Sequence, residues 1–237
     1  MTLSERMKAV IGLAEPCECI ADIGCDHGYV AIELVRRGLC RRVIAMDINK
    51  GPLERARANI ASFGLEECIQ TRQSDGAGAL LEGEADGIIC AGMGGRLIIS
   101  ILENDMAVIK PMRQIILQPQ SELSEVRKYL RQNCFAAVRE DIVCEDGKYY
   151  PMMRVKTGAA VSRENEPLHI FDTYGRGLLE SANPVMREYL LYQRDKLVHI
   201  KKGLQNGKDM THRQQQRAIE LDSELADINF CLDNYFR

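Results

Sequence analysis

Asp22, Gly24, Asp26, His27 and Gly28 fall within the seven residues DIGCDHG, between an apolar run and a helical pattern. Small residues at such a βα turn let the backbone bend sharply and approach a ligand. The helix that follows offers its free N–H groups to that ligand. A dinucleotide-binding loop would read GxGxxG, and here Asp26 stands where the second glycine would be. A carboxylate repels a pyrophosphate and attracts a sulfonium or an ammonium group. The loop therefore points to S-adenosylmethionine as cofactor rather than NAD; an ordinary tight turn is the plain alternative.

Three further stretches follow in order. Asp47 closes the apolar run 43–46, where an acid can accept hydrogen bonds from both ribose hydroxyls of an adenosyl group; it could also serve only as a helix N-terminal charge. Ile48 beside it is assigned to the same site. Ser74, Asp75 and Gly76 come next. An acid there can take the exocyclic amine of adenine, while Ser or Asp also makes a plain N-cap. Ala91, Gly92, Met93, Gly94 and Gly95 place three glycines at one strand end, where a single turn needs one and close backbone approach to a ligand needs more. The first three are assigned to the cofactor, Gly94 and Gly95 to the substrate. Successive strand ends carrying all four stretches are more specific than any one of them.

The elements that must position these residues alternate. Residues 19–22, 42–46, 68–72, 86–91 and 113–117 read as strands; 29–37, 52–63, 94–103 and 122–132 read as helices. That order implies βαβ units and a parallel sheet. Residues 135–143 and 149–156 flank Glu145-Asp146-Gly147, a hairpin turn signal. A doubly wound sheet ending in an antiparallel hairpin is a trait of class I (Rossmann-like) methyltransferases, an α/β fold. A polar boundary near 157–166 separates residues 1–160 from a tail, 161–237. In the tail, Met186, Leu190, Leu197, Ile200 and Leu204, then Leu221, Leu225, Ile228, Leu232 and Tyr235, repeat at helical spacing around an Asn206-Gly207 turn. Two long helices are expected there, as an antiparallel coiled-coil hairpin or packed flat on the main domain.

Bulk properties narrow the class. Net charge is -3, which argues against non-specific nucleic-acid binding without excluding a local basic patch. Residues 187–217 hold eight basic and three acidic residues, a net +5, and residues 218–236 hold five acids and no base. Arg194, Lys201, Lys202 and Arg213 are the candidates to grip phosphates; a solvated face with interhelical salt bridges is the competing reading. The nine cysteines include no CxxC pair, so buried free thiols are expected and no metal. No apolar run reaches membrane-spanning length and the N-terminus lacks a signal-peptide layout. A monomer in the cytoplasm is expected. His199 and His212 read as solvated, and His27 as a partner of Asp26 or of the cofactor.

The stretches 21–29 (ADIGCDHGY), 74–76 (SDG), 91–95 (AGMGG), 117–119 (LQP) and 145–148 (EDGK) resemble the TrmK family of bacterial tRNA adenine-N1 methyltransferases. The resemblance extends to the layout of the helical tail. It implies methyl transfer to adenine-22 of tRNA, with Gln118, Pro119 and Gln120 at the base. Two departures stand out: Gln120 occupies a place where Asn is expected, and Gly175-Arg176-Gly177 replaces a Gly-Pro turn. Tyr149, after the EDGK turn, is a candidate to stack on the base, although strand aromatics more often belong to a core. Asp26 is the candidate catalytic residue, stabilising charge that develops on the base or accepting an N6 proton; binding cofactor alone is its other role. A methyltransferase for another RNA, a small molecule or a protein would keep the cofactor motifs and reinterpret the tail. A non-catalytic RNA-binding module with a relic pocket would not need the series Asp22, Asp26, Asp47 and Asp75.

Overall fold

The computed structural model describes residues 3–158, 166–205 and 211–237. The chain divides into two compact units, residues 1–166 and 167–237. The boundary expected at 160/161 and the turn at Asn206-Gly207 lie outside the described residues.

The first unit runs α1 (Glu5–Gly12), β1 (Cys17–Ile23), α2 (Tyr29–Arg36), β2 (Cys40–Asp47), α3 (Lys50–Ser62), β3 (Ile69–Gln73), β4 (Gly87–Met93), α4 (Gly95–Asn104), α5 (Met106–Ile109), β5 (Gln114–Pro119), α6 (Leu123–Gln132), β6 (Phe135–Glu145) and β7 (Lys148–Thr157). The strands form one sheet in the order β3-β2-β1-β4-β5-β7-β6. The first five are parallel, and β7 runs antiparallel to both neighbours.

Alternation along the strands builds two cores. Ala21, Ile44, Met46, Ile88, Cys90, Ile115 and Leu117 face Ile98, Ile101 and Leu102 of α4 and Val126 and Leu130 of α6. Ile20, Val43, Ala45, Ile89 and Ile116 face α1, α2 and α3. Strands covered on both sides read as nearly continuous apolar runs, as β5 does. Order reverses between β1 and β4, which opens a crevice at their C-terminal ends, the usual ligand site of such sheets.

Helix α1 was absent from the sequence reading. Its signals were present: Ser4 caps it by accepting from the Met7 N–H at 3.2 Å, and Leu3, Val10 and Ile11 are buried at helical spacing. The hairpin turn formed as expected at residues 145–148.

The second unit comprises α7 (Leu168–Tyr174), α8 (Arg176–Glu180), α9 (Pro184–Gln205) and α10 (His212–Tyr235). The two long helices pack on each other. Met186, Leu190 and Leu197 of α9 and Leu221, Ile228 and Cys231 of α10 are buried. Thr211 and Gln214 close a capping box at the start of α10. The short α7 and α8 bury Ile170, Phe171, Leu178 and Leu179; they lie beyond the polar boundary at 157–166, and no helix was expected there.

Among the described residues no helix is long and apolar enough to cross a membrane. The nine cysteines are free, but Cys134 and Cys144 are exposed. That corrects the expectation of buried thiols throughout: Cys144 lies in the edge strand β6, and Cys134 in the turn between α6 and β6.

Candidate active site

The loop after β1 is tied to β2: the N–H groups of Gly24 and Cys25 both donate to Met46 O, at 2.8 and 2.9 Å. Gly24 and Gly28 take φ of +74° and +72°, the left-handed backbone that glycine adopts without steric cost. Gly28 ends the loop as the N-cap of α2 and has no side chain to cap it. In the first turn the Ala31 N–H is taken by the Asp22 carboxyl, and the N–H groups ahead of it at the helix start can meet an anion.

A cavity of about 280 Å³ lies here, lined on the β1 side by Asp22, Gly24, Cys25, Asp26 and His27 and on the β4–β5 side by Ala91, Gly92 and Gln120. Asp22 is buried, and its Oδ2 has no hydrogen-bond partner. Burial pushes its carboxyl up to about 7; a hydrogen bond from the Ala31 backbone opposes this and the Asp47 charge adds to it. A buried carboxylate oxygen without a donor is costly, and a ligand ammonium would supply the donor. The observation fits the amino-acid end of S-adenosylmethionine, whose carboxylate suits the open α2 N-terminus.

Asp26 takes a left-handed φ of +46° and stands exposed at the cavity. Its Oδ1 accepts from Arg55 Nη2 at 3.1 Å, and His27 Nε2 lies 3.6 Å from Oδ2. The charge assigned to a ligand cation is therefore already paired in this structure. Asp26 and Arg55 are both at least half exposed, so the pair contributes about 0–1 kcal/mol and a bound cation can compete for it. His27 also stacks on Tyr29 at 5.6 Å.

Asp47 ends β2, and its Oδ1 accepts from Asn49 N at 2.9 Å. Ile48 beside it is 53% exposed, an apolar surface at the strand end where a flat base can lie. Ser74 is buried and works inside its turn, donating to Gly76 O at 3.0 Å and accepting from Ala79 N at 3.1 Å. Asp75 is exposed. Asp47, Ile48, Asp75 and Gly76 do not line the cavity; they continue along the strand ends toward the sheet edge.

Four assignments change with the structure. Gly95 is buried in the α4–α6 packing: a Cβ there would sit 2.5 Å from Ser121 O, so glycine serves close approach between elements rather than contact with substrate. Gln118 is fully buried, its Oε1 accepting from Gly92 N at 3.0 Å and from Arg6 Nη1 at 3.1 Å. It lies behind the wall, and Gln120, exposed at the cavity, is the amide that can reach a base. Pro119 is buried as well. Tyr149 does not line the cavity, whereas Tyr150, on the opposite face of β7, packs against the α1 side of the core. The sequence reading also missed Arg6, Met7 and Val10 of α1 and Tyr29 and Val30 of α2, all of which line the cavity.

In the second unit, Lys201 pairs with Asp222, Arg217 with Glu220 and Glu224, each at 2.9 Å, and Arg194 with Asp195 at 3.7 Å. Lys202 and Arg213 are exposed. Lys208 and Asp209 lie outside the described residues.

Residues 3–153 match the family model described as "Methyltransferase domain". The chain belongs to this methyltransferase family. The methyltransferase is 35% identical over 158 residues to the tRNA (adenine(22)-N(1))-methyltransferase of Bacillus subtilis strain 168; the match spans 67% of this chain and 66% of that protein. It superposes on the crystal structure of the B. subtilis m1A22 tRNA methyltransferase TrmK with a TM-score of 0.85 at 28% identity, over 98% of this chain and 99% of that one. It also superposes on M. capricolum TrmK in complex with S-adenosyl-homocysteine, with a TM-score of 0.82 at 25% identity, over 99% of this chain and 100% of that one. These similarities bear out the resemblance first read from ADIGCDHGY and AGMGG.

Proposed function

We propose that this methyltransferase transfers a methyl group from S-adenosylmethionine to N1 of an adenine in tRNA, and that the adenine is number 22. The observation that carries the reading is the cavity at the β1–β4 switch point, lined by Asp22, whose Oδ2 is unpartnered, by Asp26 and by Gln120. Similarity to the B. subtilis and M. capricolum enzymes supports both the cofactor and the substrate.

Asp22 and the α2 N-terminus would hold the amino-acid end of the cofactor, Asp47 the ribose and Asp75 the adenine amine, with Ile48 against the ring. The cofactor supplies an electrophilic methyl group. Adenine N1 carries an in-plane lone pair, so the protein's task is positioning and electrostatics rather than activation of a nucleophile, and no metal is required. Gln120 orients the base edge. Asp26 faces the charge that develops on the methylated base and is the acceptor for an N6 proton. The target base must leave its stack to reach the cavity. Lys202 and Arg213 of the tail, with Arg194 and Lys201 once their acidic partners yield, would grip phosphates. The protein is taken to act as a monomer in the cytoplasm.

Incubation of the purified protein with S-adenosylmethionine and unmodified tRNA, followed by nucleoside mass spectrometry, tests the reading. One methyl per tRNA as 1-methyladenosine is expected, and none in a transcript with guanosine at position 22. A methylated product only with small molecules or proteins would replace the substrate class.

A further inference from the structure

We propose that Arg6 is a positioning residue for the target base, acting through Gln118 and Gly92 on the wall that carries Gln120. The proposal rests on the reading of the cavity as the place of methyl transfer to adenine.

The Oε1 of Gln118 sits between two donors, Arg6 Nη1 at 3.1 Å and Gly92 N at 3.0 Å. One oxygen thus joins α1 to the end of β4. A Cβ built on Gly92 would lie 3.0 Å from Arg6 Nη1 and 3.7 Å from Gln120 Nε2. Guanidinium, Gly92 backbone and Gln120 amide therefore converge, and all three residues line the cavity. The backbone continues the link, because Gln120 N donates to Met93 O at 2.8 Å.

The β6–β7 hairpin holds α1 so that Arg6 stays there. At the start of the helix, Glu145 Oε1 accepts from Glu5 N at 2.6 Å, a carboxylate placed where the helix dipole favours it. At its end, Arg139 donates to Gly12 O at 3.1 Å and Arg154 to Leu13 O at 3.2 Å. Between them the Arg6 guanidinium lies over the Tyr150 ring, 5.6 Å from its centroid. Glu145 and Tyr150, which flank the hairpin turn, thus gain a role that the cofactor site alone does not give them.

Charge does not explain an arginine here. A fixed cation opposes both a sulfonium and a positively charged product base. Geometry does: a flat guanidinium can bond to an amide oxygen with one edge while its face covers a ring, and an ammonium cannot do both. Misplacement of a reacting group by about 1 Å costs on the order of a hundredfold in rate.

The test compares wild type with Arg6→Ala, Arg6→Lys, Gln118→Ala and the Arg6→Ala/Gln118→Ala double variant. Each is measured for kcat and KM with tRNA, cofactor Kd by calorimetry, and thermal midpoint. Arg6→Ala and Arg6→Lys are both expected to lower kcat by roughly tenfold to a hundredfold, with cofactor Kd and tRNA KM within about threefold of wild type. The double variant is expected to be no slower than the slower single variant, since the two residues act as a unit. Wild-type kcat in Arg6→Lys overturns the proposal, also where Arg6→Ala fails to fold. Losses that multiply in the double variant overturn action through Gln118. Cofactor affinity falling in parallel with kcat makes Arg6 a general brace and likewise overturns it. A wild-type protein that methylates no tRNA overturns the functional reading and this proposal together, whereas an active wild type matched by both Arg6 variants overturns this proposal alone.

Discussion

Asp22 is the residue whose environment asks most plainly for a ligand. Burial holds its carboxyl at about 7, above an unfolded value near 3.9. Between those values the folded, ligand-free chain keeps a proton that the unfolded chain has lost, so its stability falls as pH rises from about 4 to about 7. A ligand ammonium prefers the ionised form. Affinity for S-adenosylmethionine is therefore expected to rise with pH toward about 7 and level off above it. Asp22→Asn should flatten that profile and weaken binding roughly tenfold to a hundredfold, the worth of a hydrogen bond to a charged group. Calorimetry across this pH range checks both, and an unchanged slope in the variant would remove Asp22 as the titrating group. Asp26 makes a separate prediction. Asp26→Asn keeps the side chain's size and loses its charge, so methyl transfer at saturating cofactor and tRNA should drop at least tenfold, as removal of an acid–base group does. Turnover near the wild-type value would leave Asp26 as a cofactor contact only.

At the scale of elements, the hairpin and α6 are joined by a buried ion pair. Arg127 Nε donates to Glu140 Oε1 at 3.0 Å, and the two side chains are 7% and 2% exposed. Removing one partner of a buried ion pair typically costs about 3–5 kcal/mol. Glu140→Gln should lower the urea midpoint accordingly, with the slope of the transition unchanged. Replacing both partners by apolar residues of similar volume should recover most of the loss. A Glu140→Gln protein as stable as wild type would show that water or another group already satisfies Arg127.

For the whole molecule, the question is whether the two units divide the work. The residues assigned to the cofactor precede residue 166, and the +5 segment follows it. A protein ending at residue 166 is expected to keep its cofactor affinity and to lose affinity for tRNA. It should also show a shallower dependence of tRNA binding on salt, because fewer counterions are released. The comparison uses a truncation that circular dichroism shows to be folded. Equal affinity and equal salt slope would place the RNA contacts on the first unit.

Much of the first unit could be read before any coordinates. Strands buried on both sides must be apolar throughout, helices between them must carry an apolar stripe, and glycines and acids gather where strand ends meet a ligand. DIGCDHG, Asp47, Ser74-Asp75-Gly76 and AGMGG follow from those local demands, and so did the α/β order and the terminal hairpin. Proximity between residues distant in the chain did not follow. Arg6 and Gln118 are separated by 112 positions, and no local pattern links them. Only the return of β5 beside β4, with α1 packed across that face, brings them together. The same holds for Gly95, whose neighbour Ser121 O belongs to the next connection, and for Gln118 and Gln120. Those two differ by a step of two at the end of one strand, yet only packing decides which amide is buried and which meets the cavity. Spacing states which side chains share a face; the tertiary fold decides what stands opposite them.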